Sequence, residues 1–157
     1  MRRWIIAAIC LLGLVLLPEG RRTEIGNLKP VEVLLVAVKE GRIRVDTDTG
    51  DSGSGITLTS ALKDMKESAS GEIFLETVSY VLVTEETRFL LEELGQILRP
   101  GTEAVLAAGE VDLETVAGYL NVHTPDCSLR KYLSSQIQLP KLMTAGERYY
   151  LVQLGNE

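Results

Sequence analysis

Hydrophobic and polar positions alternate most legibly between Thr57 and Pro100. Leu58, Ala61, Leu62, Met65 and Ala69 recur at helical spacing and leave Lys63, Asp64, Lys66 and Glu67 for water, which predicts an amphipathic helix ended by Ser70-Gly71. Val78 and Tyr80 to Val83 form an apolar, β-favouring run too continuous for a half-exposed strand, so burial on both faces is expected. Thr84 is placed to cap a second helix, with Glu85 and Glu86 at the end of the helix dipole that favours anions. The pattern assigns Phe89, Leu90, Leu94, Ile97 and Leu98 to its buried face, and Arg99-Pro100-Gly101 ends it. Helix, buried strand and helix in this order belong to an α/β layer and not to a bundle.

Upstream, VEVLLVAVK from Val31 to Lys39 is a further apolar run. Glu40-Gly41 is a turn signal and Arg42 to Val45 alternates, so residues 31 to 48 predict a β-hairpin with a buried first strand and a second strand nearer an edge. TDTGDSGSG, Thr47 to Gly55, then reads as a flexible loop. Downstream, Ala104 to Ala108 predicts a strand of small residues. Asp112 caps a helix carrying Leu113, Val116, Ala117 and Leu120 on one side. Cys127 to Ser135 predicts a short helix with Leu129, Tyr132 and Leu133 inward. Gln136 to Met143 reads as irregular around Pro140, and RYYLVQL, Arg148 to Leu154, as a final strand. The expected fold class is α/β (α+β mixed): a single domain over residues 31–157, its mixed β-sheet flanked by helices, preceded by a polar connector at 19–30.

The first eighteen residues change that picture. Arg2 and Arg3 precede Trp4 to Leu17, a stretch without charge, and Pro18-Glu19 closes it. At about 1.5 Å per residue the run reaches roughly 21 Å as a helix, short of the roughly 30 Å of bilayer hydrocarbon, so a signal peptide or short N-terminal membrane anchor is expected over 1–18. Residues with side chains small enough for a signal-peptidase site are missing between Gly13 and Gly20, so cleavage and retention both stay open. Lipidation at Cys10 is a third route, although Ala7-Ala8-Ile9 before it is a poor lipobox. Beyond Pro18 the chain carries all 22 acidic residues and 14 of the 16 basic ones, a formal −8. No cluster of Lys and Arg is available for phosphates, which argues against nucleic acid as a partner. Cys127 is the one cysteine after the leader, so no intrachain disulfide is expected in the domain if the leader is removed.

Several short motifs carry the letters of chemistry without its partners. Gly50-Asp51-Ser52-Gly53 spells the nucleophile signature of chymotrypsin-like proteases, but the single histidine, His123, follows it and no base precedes it. Asp48-Thr49-Gly50 matches the aspartic-protease triplet, yet the strand entering it, Arg44 to Thr47, is too polar for the buried hairpin that holds such a dyad. With Asp46 at the first place of a calcium loop, Gly50, Asp51 and Thr57 stand where other residues are needed. An irregular cation site from Asp46, Asp48 and Asp51 stays open beside an unliganded loop. His123 and Cys127 are separated by Pro125 and have no further His or Cys to complete a metal site. No nucleophile, base and orienting group assemble, no cofactor is implied, and the expectation is that the protein is not an enzyme.

Four stretches together resemble the N-terminal domain of the Ger(x)C proteins, the lipoprotein C subunits of spore germinant receptors in endospore-forming bacteria. Gly20 to Ile25 resembles the segment that follows that family's lipid-bearing cysteine, with Thr23 as an insertion. Val31 to Val45 resembles its first hairpin, and Gly55-Ile56-Thr57-Leu58 through Ala61-Leu62 its first helix start. Gly71 through Phe74 to Val83-Thr84-Glu85-Glu86, ending at Leu98-Arg99, resembles its following strand and helix. The lipobox cysteine is absent at Pro18 to Gly20, Thr77 stands near a frequent histidine, and the later domains are missing. The resemblance implies a membrane-associated, extracytoplasmic, non-catalytic protein of spore germination or sporulation. It would sit at the outer face of the cytoplasmic, spore inner, membrane and act by contact with membrane subunits of a germinant-receptor-like complex. The rival expectation is a small exported protein that binds a ligand or cation through the Asp46 to Gly55 loop.

Overall fold

A computed structural model describes residues 28–135, 137–146 and 148–153. The signal or anchor segment at 1–18, Cys10 and residues 19–27 of the connector lie outside the described residues. The last three connector residues are a strand, β1 (Leu28–Pro30), which pairs in parallel with β5 (Glu72–Phe74) as a small separate sheet. Thr77 ties that sheet down, its hydroxyl accepting from Val31 N–H and donating to Val31 C=O.

The main sheet has seven strands: β2 (Val33–Lys39), β3 (Arg42–Thr47), β4 (Ser52–Gly55), β6 (Tyr80–Val83), β7 (Glu103–Ala108), β8 (Lys141–Ala145) and β9 (Arg148–Val152). Their spatial order is β4-β3-β2-β6-β7-β8-β9. The four central strands β2, β6, β7 and β8 are parallel, and antiparallel hairpins close both ends, so the sheet is mixed as expected. Side-chain alternation divides the core in two. Leu34, Val36, Val81, Val83 and Leu106 face one side, and Val33, Tyr80, Leu82, Val105 and Ala107 the other.

Four helices cover these faces unequally. On the first side lie α1 (Leu58–Ser68), α2 (Leu91–Ile97) and α4 (Leu129–Ser135). On the second lies α3 (Leu113–Val122), whose Val116, Ala117 and Leu120 are buried. The predicted stripe of α1 is inward at Leu58, Ala61, Leu62 and Met65, and every residue of β6 is buried, as its uninterrupted apolar run requires.

Four expectations are corrected. The stretch expected as a flexible loop is the tight turn of a hairpin followed by β4, paired to β3 from Asp46↔Ser52 to Ile43↔Gly55. Its composition misleads because Gly53 and Gly55 serve packing: a Cβ on Gly53 would stand 2.3 Å from both Ala61 O and Met65 N, so only glycine lets α1 lie directly on this strand. The tail around Pro140 is not irregular throughout, since Lys141 to Ala145 is β8. Phe89 and Ile97, expected in the core, are 73% and 38% exposed. The chain starts after Thr84 with a 3-10 turn over Glu85–Leu90 before becoming α2. At three residues per turn the phase runs ahead of the α pattern, and Leu91 takes the inward place that the sequence pattern gave Phe89. On α4, Leu129 is buried as expected but Leu133 is 41% exposed.

The connection from β7 to β8 passes through the plane of the sheet. After α3, Cys127 and Ser128 lie antiparallel beside the start of β7, with Ala104 N–H donating to Cys127 C=O and Leu129 N–H to Thr102 C=O. The upper half of the same edge, Leu106 to Ala108, is taken by β8. At the outer strand β9, Leu151 N–H donates to the Tyr119 hydroxyl at 3.0 Å, which occupies one of the outward ladder groups of an edge strand.

Candidate functional site

The β3–β4 hairpin carries the candidate ligands Asp46, Asp48 and Asp51. Thr47 N–H donates to Asp51 C=O and Gly50 N–H to Thr47 C=O, and Gly50 takes φ +81°, so backbone bonds and one left-handed residue define the turn. Its three carboxylates are directed to three different partners. Asp46 accepts from Arg44 Nε with both oxygens at 2.9 Å. Asp48 accepts from Glu32 N–H with both oxygens at 3.2 Å and so fixes the chain entering β2. Asp51 pairs with Lys29 Nζ at 3.0 Å and accepts from the Thr49 hydroxyl at 2.8 Å, tying β1 to the turn. Among the described residues no group of three His, Cys, Asp or Glu side chains stands close enough to hold a metal ion. Burial pushes the Asp48 carboxyl above its ordinary range, with backbone N–H groups of Val33 and Glu32 opposing that shift.

The other tempting letters are also apart. Ser52 lies within β4 opposite Asp46, while His123 ends α3 and stacks on Tyr119 with ring centroids 4.6 Å apart. Cys127 is buried, and burial raises its thiol, the opposite of what an activated nucleophile needs. Its N–H donates to Glu103 Oε2, and burial raises the Glu103 carboxyl in turn.

A surface that periodicity alone could not have located joins α2 to α4. A Cβ on Gly95 would stand 2.6 Å from Leu133 Cδ1, so the two helices touch at a glycine. Beside that contact Arg88 Nε donates to the Tyr132 hydroxyl at 3.2 Å, and its guanidinium lies 5.8 Å from the Tyr132 ring centre. Phe89, Glu92, Gln96 and Leu133 complete a shallow groove of about 700 Å³. Acids dominate the segment that carries Phe89, with Glu85, Glu86, Glu92 and Glu93 against Arg88 alone between Thr84 and Leu98, whereas α4 contributes Arg130 and Lys131. Among the described residues, Glu93 is the one of these acids that bonds another element, accepting from Thr59 at 3.2 Å. An exposed phenyl ring beside acids can bind an apolar side chain set among cations.

The described residues define a mixed α/β fold with seven strands in its main sheet and four helices. No family model, no curated protein and no solved structure matches the chain. Among the described residues no helix is long and apolar enough to cross a membrane.

Proposed function

We propose that this protein is a non-catalytic contact protein of the extracytoplasmic side of a membrane, held there through its N-terminal segment. In this reading it works in spore germination or sporulation as the N-terminal domain of a Ger(x)C-type C subunit would, by binding membrane subunits of a germinant-receptor-like complex. The observation that supports it is the α2–α4 groove, where Phe89 stays 73% exposed on an acid-rich segment although Leu90, Leu91 and Leu94 beside it are buried. An isolated exposed apolar residue needs no explanation, but a phenyl ring beside exposed Leu133 in a groove suits a protein contact. Asp46, Asp48 and Asp51 support the rival cation-binding reading less, because each is held by a different structural partner.

The test is crosslinking of the full chain in sporulating cells of its source organism, with Phe89→Asp as the comparison. Recovery of a polytopic envelope protein with the native chain, reduced at least about tenfold by Phe89→Asp, is the expected result, since losing a buried aromatic anchor costs roughly 2 kcal/mol or more. Recovery of nothing above background, together with normal germination of a deletion strain, overturns the reading.

A further inference from the structure

The connections that leave β6 and β7 diverge. These strands are parallel neighbours, with Val83 opposite Leu106. After β6 the chain turns to the side of α1 and α2, where the Thr87 hydroxyl donates to Val36 C=O at 2.7 Å. After β7 it turns to the other side and becomes α3. Adjacent parallel strands whose carboxyl ends lead to opposite faces leave a crevice between them, the place where open α/β sheets receive ligands. A cleft of about 570 Å³ lies there, within the size range of small-molecule sites. Thr84 borders it from β6, and Gly109, Glu110 and Val111 from β7. Gly109 has φ +106°, a conformation that turns the backbone where the crevice opens.

Its remaining wall comes from β2 and β3, including Leu35, Lys39 and Arg44. Arg44 binds Asp46 through Nε, and its two terminal amino groups have no hydrogen-bond partner among the described residues. Lys39 likewise makes no side-chain hydrogen bond or ion pair to a described residue. Lys29, Lys63 and Lys131 are paired with acids, whereas Arg42, Lys66, Arg99, Arg130, Lys141 and Arg148 share with Lys39 the lack of such a partner among the described residues but do not line this cleft. In a chain of formal charge −6, two cations with unused donors thus line one apolar-floored cleft. Asp46, bound to Arg44 Nε, and Glu110 on the loop side offset these two positive charges, so the site is unfavourable for a ligand carrying several negative charges.

We propose that this crevice binds a small organic monocarboxylate with an apolar body. The carboxylate engages the terminal amino groups of Arg44 and the Lys39 ammonium, and the apolar part lies against Leu35, Val111 and Leu113. The site is separate from the α2–α4 groove and does not depend on the contact reading. It is tested by titrating the protein with hexanoate, and in parallel with hexanol and hexylammonium, while following amide shifts by NMR. Saturable shifts with hexanoate, centred on Arg44, Thr84 and Gly109 to Leu113, are expected, with no saturation by the alcohol or the amine. Arg44→Gln and Lys39→Gln should each weaken hexanoate binding by about tenfold, the loss of one charge-assisted contact. Lys39→Gln serves as the control on folding, because it removes no contact from the described fold. Equal binding of hexanol, preference for hexylammonium, absence of saturable shifts at the crevice, or Lys39→Gln and Arg44→Gln variants that bind as the native chain does, each overturn the proposal.

Discussion

Replacing Gly53 by alanine adds a single methyl group, and the fold dictates what it meets. The new Cβ would lie 2.3 Å from Ala61 O and Met65 N and 2.7 Å from Met65 Cα, all backbone atoms of α1. Ordinary contacts begin near 3.4 Å, so strand and helix must separate by roughly 1 Å. A gap of that size forfeits about a quarter to a half of the dispersion attraction across it. The residues that lose it are Leu58, Ala61 and Met65, all fully buried. Overpacking typically costs about 1–3 kcal/mol, and the upper end applies here because no side chain can rotate out of the way. At about 2–4 °C per kcal/mol for a chain of this size, Tm should fall by about 6–12 °C. Gly118→Ala is the matched comparison: its site in α3 has nothing within 4 Å, so the same methyl group should stabilise by about 0.5–1 kcal/mol through helix propensity. Urea unfolding followed by far-UV circular dichroism reads both, tryptophan fluorescence being unsuitable because the sole tryptophan, Trp4, lies outside the described residues. A Gly53→Ala variant within about 0.5 kcal/mol of the native protein would refute the close approach and return Thr47 to Gly55 to the flexible loop its composition suggests.

Two further predictions concern polar groups. Thr87 is fully buried, donates to Val36 C=O and accepts from Thr84 N–H, so Thr87→Val should cost about 1–3 kcal/mol in urea unfolding, while Thr87→Ser should recover most of it. The Glu103 carboxyl is raised by burial, so its contribution to stability is fully present below the ordinary glutamate range and is lost as pH rises through its elevated folded value. Glu103→Gln, whose amide oxygen can still accept from Cys127 N–H, should therefore exceed the native protein in stability at pH 7. That advantage should shrink to nothing on acidification; an advantage that grows toward low pH would contradict the assigned direction.

The elements that sequence made legible are those whose burial follows one period. α1 and β6 bury what their patterns predict, because each packs along one face or two without interruption, and β7 forms where its small-residue run predicts a strand. β4 was hidden because Ser-Gly-Ser-Gly has no β-forming side chains; its place is fixed by how closely a helix must approach, which is a tertiary demand. Phe89 was misplaced because the pitch of the chain changes between Glu85 and Leu91, and no local residue type announces a 3-10 turn. At the candidate sites, Asp46, Asp48 and Asp51 were visible as acids but their separate partners, Arg44, Glu32 and Lys29, were not. The crevice between β6 and β7 had no sequence signal, since it arises from the order in which connections choose a face.

The divided edge of β7 bears on the order of assembly. Residues 127–128 and β8 each satisfy half of one strand, so neither half of the ladder is complete until a segment well downstream of Ala108, at residue 127 or beyond, has reached the strand. The α1–β6–α2 region can gather from contacts close along the chain, whereas the C-terminal portion must thread before it pairs. A nascent or nicked chain ending within α3 would therefore present β7 as an open template to other chains, and its fate would turn on how quickly the last third arrives.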